Sequence, residues 1–576
     1  MNIFLHFRDL IYQQVQNKYR GMFALEDIKV EYPRNSQYGD ICSNVALIIS
    51  EKTQKNPKMI ANTLQRDLQY HDDIEEVSVE GVGFLNIKVR LKFWHNFLRE
   101  VLILGDTYPE INIGNGEKVN IEFVSANPTG PLHLGHAKGA IFGDSISNLL
   151  FKCGYNVTKE FYINDGGNQI ENLTRSLEIH YQRLFNKDVE LDQDCYQGQY
   201  IIDLAKELKN KHEDQIKSFR DNEAKAFLEE FAVSNIIQTI KNNLVKLGVF
   251  HDFFTSEKRI MEQGKIEECL KLLKEKGLLY SGLIKKPKGQ YCNKLHQKEQ
   301  VIFKSTLFGD DIDRVLIKPN GAYTYFASDI AYHLDKVSRG FNNMILLLGT
   351  DHIGYKKRIT SAVSALSEGK AKLDVKFCQL VKLLRNGELV KMSKRSGNFI
   401  ELTDVIDEIG RDALKFGILS KSSDTLIEID LEKLKKQNKD NPIFYVQYAY
   451  ARTESIIRRA KDIGVNIHYT LSHDHIDLSL LDSTYDISLI KILALYPKIL
   501  LSCLSTLDPH KITYYLYDLS CKFHQTWSKG MKKEDIRFLI KNNIPLTHAR
   551  VLLAYSVGLV IKSGLKILGI EAIKEM

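Results

Sequence analysis

A chain of 576 residues exceeds what one hydrophobic core supports, so several domains are expected. Its 44% hydrophobic and 26% charged residues are ordinary for a folded globular protein and unlike a disordered one. The formal charge of +7, from 79 basic and 72 acidic residues, permits a polyanionic partner without demanding one.

Residues 1 to about 113 read as a small α+β module. Helical spacing runs through Ile3 to Tyr19 and Ser43 to Leu68, and strand alternation through Val77 to Val79 and Phe84 to Val89, with the turn Gly81-Val82-Gly83 between. The polar, glycine-containing joint Asn112 to Gly116 marks a boundary. Val119 to Val124 then forms an apolar run expected to be a buried parallel strand. A Pro/Gly loop, Asn127 to Pro131, leads to His133-Leu134-Gly135-His136. These open a helix whose apolar positions are Leu134, Ala137, Ile141, Phe142, Ile146, Leu149 and Leu150. A strand over Val157 to Ile163 completes a βαβ unit. Two histidines and a glycine therefore sit at a helix N-terminus, where free N–H groups and the dipole attract anions. The tetrapeptide alone is weak evidence; incidental histidines at a helix start are the plain alternative.

Residues 171 to about 250 read as a charged helical connection. Tyr291 to Phe308 turns strand-like, Asp310 to Arg314 is a polar turn, and Val315 to Lys318 begins another strand as the sheet resumes. Tyr323 to Asp329 leads into a helix. Met344 to Leu348 is an apolar strand ending in the polar loop Gly349 to Tyr355, the kind of strand end at which open α/β sheets bind ligands. Val390 to Asn398, with Lys391, Lys394 and Arg395, suits a mobile loop that clasps phosphates; a solvated basic loop is the alternative. Residues 401 to 436 read as amphipathic helix. From Asn441-Pro442 onward the chain reads as all helical. Its first helix interleaves Phe444, Tyr445, Tyr448 and Tyr450 with Arg452, Arg458 and Arg459, a pattern that can stack on single-stranded RNA or simply form an aromatic core face with a basic outer face.

Eight cysteines are scattered without Cys-x-x-Cys or paired histidine spacing, which argues against zinc and disulfides and suits a reducing compartment. Met1 to Arg20 carries Arg8 and Asp9 and no long apolar core, so no signal peptide is expected. No run reaches the ~18 apolar residues of a membrane span. Leu489 to Leu504 comes nearest, interrupted by lysines.

The His-Leu-Gly-His loop and the Lys-Met-Ser-Lys-Arg loop, in this order on an α/β pattern, resemble the two signatures of class I aminoacyl-tRNA synthetases, with Leu134 where the family signature has Ile. Glu122 to Pro131, Tyr162 to Ile170, Gly309 to Leu316, Asn441 to Ala449 and Leu568 to Met576 look like arginyl-tRNA synthetases in particular. The likeness spans essentially the whole chain and is weakest in 171–300 and 460–545. It implies a Rossmann-like parallel-sheet catalytic domain over 114–440, with a mainly helical insertion at about 171–300, between an α+β tRNA-binding module (1–113) and an all-α anticodon-binding domain (441–576).

The resemblance implies ATP-dependent ligation of L-arginine to its tRNA through an arginyl-adenylate. His133 and His136 would donate hydrogen bonds to the triphosphate, and Gly135 would let adenine approach the backbone. Lys391, Met392, Ser393, Lys394 and Arg395 would hold phosphates, and Gly349, Asp351 and His352 would line the ribose and adenylate side. ATP would arrive with Mg²⁺, and no zinc is expected. Glu122, Ser125, Asn127, Tyr325 and Asp329 would bind arginine, the acids meeting its cationic groups. Phe84 and Asn86 would clasp a D-loop base, and Tyr448, Tyr450 and Arg452 the anticodon. A cytoplasmic monomer without a membrane partner is expected. The alternatives are a synthetase-like RNA-binding protein, a class I synthetase of other specificity, and a small nucleotidyltransferase, although the last lacks both flanking domains.

Overall fold

The computed structural model describes residues 2–33, 35–218, 220–282, 299–390, 400–438, 440–466 and 477–576. The centre of the molecule is a five-stranded parallel sheet: β1 Lys118–Glu122, β2 Asn156–Ile163, β3 Phe253–Ser256, β4 Asn343–Gly349 and β5 Lys372–Cys378. Their order is β5-β4-β1-β2-β3. The chain builds outward from β1 to β3, then crosses back to lay β4 on the other side of β1. The strand order reverses between β1 and β4, so a crevice opens at their carboxyl ends, where such sheets take ligands.

Helix α1, Leu134–Lys152, joins β1 to β2 and buries every apolar position that its spacing predicted. It packs so closely that a Cβ on Gly143 would lie 2.1 Å from the Phe123 ring. The expected strand through Val124 stops at Glu122, because Val124 and Ser125 take φ of 70° and 38° and turn the chain out of the sheet. The expected helix over Ser43 to Leu68 is two helices, Val45–Thr53 and Pro57–Leu68. Pro57 has no N–H to continue the first, and Asn56 caps the second by accepting from Lys58 and Met59 N–H. The strand Arg314–Ile317 exists but belongs to a separate antiparallel sheet with Gln300–Phe303 and Leu279–Gly282, not to the parallel one. Strand β3, by contrast, arises inside the stretch expected to be mainly helical. The helix expected over 401–436 breaks at Gly410 (φ 80°) into Leu402–Ile409 and Arg411–Ile418, and gives way to a strand, Ile427–Asp430, beside Val381–Arg385.

Three further helices flank the crevice: α2 Asn168–Arg183, α3 Tyr325–Ser338 and α4 Tyr355–Ser367. All the described secondary structure of the C-terminal region is helical and includes α5 Pro442–Asp462, α6 His510–Lys532 and α7 Ile544–Ile567. Two stretches there, Thr484–Thr506 and Ile544–Ile567, are long and apolar enough to cross a membrane by length and composition; the first contains the Leu489 to Leu504 run noted in the sequence, and the second goes beyond the expectation that no run is long enough. Both are core elements, 50% and 72% buried, and Arg550 of α7 is held inside the bundle by Asp486 at 3.0 Å. One apolar core runs from the N-terminal module through α1 into this bundle; a second lies between α3, α4, β4 and β5.

Candidate active site

His133 caps α1. Its Nδ1 accepts from Gly135 N–H at 3.0 Å, while its own N–H donates to His136 Nδ1 at 3.3 Å. The two rings stack with centroids 3.9 Å apart. Because both Nδ1 atoms accept from backbone, each neutral ring carries its proton on Nε2. Gly135 has a local reason as well: a Cβ there would come within 2.8 Å of the His133 ring. Lys391, Met392, Ser393, Lys394 and Arg395 lie outside the described residues. After them, Glu401 pairs with His133 in an isolated antiparallel bridge. Across the crevice, Gly349 ends β4, and Asp351 and His352 stand exposed in the turn that follows, 3.4 Å apart.

The other side of the crevice is built from β1, α3 and α4. Glu122 is buried and fully engaged: Lys336, also buried, donates to Oε2 at 2.6 Å, and Ser125 donates to Oε1 at 3.0 Å. The Ser125 hydroxyl also accepts from Tyr162 N–H at 3.1 Å, which pins the left-handed turn after β1. Asn127 donates to Gln169 of α2 at 2.7 Å. Asp329 sits one turn into α3 at the crevice floor, partly open to solvent yet surrounded by protein. It accepts the Tyr355 hydroxyl from α4. Burial, reinforced by the charges of Glu257 and Glu122 and opposed by Tyr355 and Arg358, pushes its carboxyl up to about 7. Tyr325, at the start of α3, is 64% exposed, with its hydroxyl against Gly167 at the start of α2.

The structure thus brings Glu122, Ser125 and Asp329 together and adds Tyr355, Lys336 and Glu257, which the sequence did not single out. Tyr355 closes the polar loop Gly349 to Tyr355, so its neighbours were a usable signal. Lys336 falls seven residues after Asp329, hence on the same face of α3. Glu257 carried no signal in its charged stretch. Among the described residues no group of three or more His, Cys, Asp or Glu is placed to hold a metal ion.

The two candidate RNA contacts differ in detail. Phe84 is exposed at the start of its strand, but Asn86 is buried mid-sheet between Cys42 and Ser78. On α5, Arg452 donates to the Tyr448 hydroxyl at 2.8 Å, lies over that ring at 4.1 Å and reaches Trp527 of α6 at 5.1 Å. Tyr450 is a correction. Two residues on from Tyr448 it points roughly 200° away, and it is 4% exposed inside the bundle.

The class of protein follows from the catalytic region: residues 98–453 match the family described as tRNA synthetases class I (R), catalytic domain. Residues 6–89 match the arginyl tRNA synthetase N terminal domain, and residues 446–576 the DALR anticodon binding domain. The chain is 44% identical to the arginine--tRNA ligase of Wolbachia pipientis subsp. Culex pipiens (strain wPip) and 42% to that of Wolbachia pipientis wMel, over 100% of both chains in each case. The Thermus thermophilus arginyl-tRNA synthetase structure shares the fold, with TM-score 0.72 over 99% of each chain at 18% identity. The chain belongs to the arginyl-tRNA synthetase family.

Proposed function

We propose that the chain ligates L-arginine to its tRNA, forming arginyl-adenylate from MgATP and then passing the arginyl group to the 3′-terminal adenosine, with release of pyrophosphate and AMP. The observation that carries this reading is the pairing, across one crevice, of two Nε2–H histidines at a helix N-terminus with a carboxylate that forms no ion pair among the described residues and feels Arg358 only at a distance. The arginine carboxylate attacks the α-phosphate of ATP, so negative charge builds on the triphosphate. His133 and His136 donate Nε2–H bonds there, and the dipole of α1 adds to them. Lys391 and Lys394 hold the β- and γ-phosphates, with Met392, Ser393 and Arg395 completing that loop. Gly349, Asp351 and His352 line the ribose side.

Asp329 takes the guanidinium, with Tyr325 closing over it and Tyr355 fixing the carboxylate. Because Glu122 is already paired with Lys336, its part is to hold Ser125 and the turn after β1, while Asn127 meets the backbone of the amino acid. Phe84 on the N-terminal module and the Tyr448–Arg452 pair on α5 contact the tRNA; buried Asn86 supports Phe84. The enzyme acts as a cytoplasmic monomer. Replacing Asp329 by Ala is expected to weaken arginine binding at least about a hundredfold and spare ATP binding. Surviving arginine affinity defeats the assignment. A folded chain that binds tRNA yet never charges it favours an RNA-binding protein instead.

A further inference from the structure

The loop that carries the chain from β1 to His133 is held from outside the sheet. The carbonyl of Thr129 accepts the hydroxyl of Tyr200, on the helix Gln199–Ser218, at 2.7 Å. The Tyr200 ring presses on the same loop, since a Cβ on Gly130 would lie 3.1 Å from it. Further along, Leu132 is fully buried and both of its backbone polar groups are taken. Its N–H donates to Oδ1 of Asn243, on the helix Asp221–Leu247, at 3.0 Å. Its carbonyl accepts from Leu402 N–H, at the start of the helix Leu402–Ile409, at 2.9 Å. The two helices that grip Leu132 are themselves joined by Lys246 and Asp407 at 2.6 Å. Asn243 stands where helical spacing calls for an apolar residue. Ile236, Ile240, Leu244 and Leu247 form the buried stripe of its helix, and Asn243, 6% exposed, lies on that stripe. An amide in such a place costs free energy unless it is hydrogen-bonded. The partner of its oxygen is the residue immediately before His133.

We propose that Asn243 and Tyr200 are positioning residues for adenylate formation: from the helical insertion they fix the loop through Thr129 and Leu132, and with it the aim of His133 and His136 at the triphosphate. This rests on the reading of those histidines as donors to the triphosphate. Each residue works through the loop. The Leu132 N–H is shut away from water, so without Asn243 the loop must shift for it to find another acceptor. His133 is the next residue, and its N–H in turn donates to His136 Nδ1 at 3.3 Å, so a shift at Leu132 moves both rings. Donors aimed at developing charge act only at the right distance, so the loss falls on the transition state and not on ground-state binding.

The test is arginine-dependent exchange of pyrophosphate into ATP by the full chain with tRNA present, with the folded fraction fixed by circular dichroism. Asn243→Leu keeps the branched shape and removes the acceptor. It should lower kcat by about ten- to a hundredfold and leave KM for ATP and for arginine within about threefold. Tyr200→Phe should lower kcat alone by about tenfold. His133→Asn supplies the discriminating background, since it retains a helix cap and deletes the Nε2–H. In that background either change should cost less than about threefold further, because most of its effect passes through the missing ring. Costs that multiply in full, or an unchanged kcat in folded Asn243→Leu, overturn the proposal. If Asn243→Leu fails to fold, Tyr200→Phe and its cycle with His133→Asn decide. An unchanged rate in His133→Asn alone brings down the underlying reading of the histidines instead.

Discussion

At the scale of single residues, the chemistry rests on groups whose neighbours set their charge. Asp329 keeps its proton up to about 7 in the fold, against 3.8 for an ordinary aspartate. A raised carboxyl contributes stability that is whole below the ordinary value and lost as the pH climbs through about 7. Arginine favours the ionised form, so it should raise the melting temperature more at pH 8 than at pH 6; the reverse order in thermal melts contradicts this. Tyr355→Phe removes a hydrogen bond that holds the carboxyl down, so the arginine binding profile should move to higher pH. Lys336→Met strands the buried charge of Glu122 and should cost about 3–5 kcal/mol in urea unfolding, much of it recovered by adding Glu122→Gln. The histidine helix start and the Tyr325–Asp329 spacing were legible in sequence because they are local. Lys336 was not, since a lysine in a helix reads as surface until its partner, 214 residues away, is known. Tyr450 belongs to the core because residues two apart on a helix, as Tyr448 and Tyr450 are, face nearly opposite ways.

At the scale of elements, β1 and α1 carry the site because the ring of Phe123, the residue after β1, packs directly on the backbone of α1 at Gly143. Gly143→Ala would drive a methyl into Phe123 at 2.1 Å, and is expected to destabilise by about 1–3 kcal/mol while weakening ATP and arginine binding together. Selective loss of one substrate alone would place the damage elsewhere. The long elements with strong apolar periodicity, such as α1 and β4, could be read from sequence. The four-residue strand β3 could not, because so short a run has no period to detect, and its place is set by β2 beside it. Pro57 and Gly410 were legible as punctuation; the error was to let helical spacing on either side override them.

At the scale of the molecule, the N-terminal module docks on the C-terminal bundle: Asp40 pairs with Lys491, and Tyr32 donates to the Lys491 carbonyl at 3.1 Å. The bundle is tied to the catalytic region in turn. Asp508 accepts from Ser423 N–H at 3.3 Å, and Asn148 of α1 donates to the Ile567 carbonyl at 3.4 Å. Since the core is continuous from α1 into the bundle, a chain lacking 441–576 is expected not to fold, with circular dichroism as the check. Such docking is invisible in sequence, because it joins residues with no common period. The central claim, that one crevice activates arginine and no other amino acid, is tested most directly by a charging assay. It uses the purified chain, MgATP, total tRNA and each labelled amino acid in turn. Arginine alone should appear on tRNA, and Asp329→Asn should abolish it; charging with any other amino acid, or none from a folded chain with intact tRNA, contradicts the account.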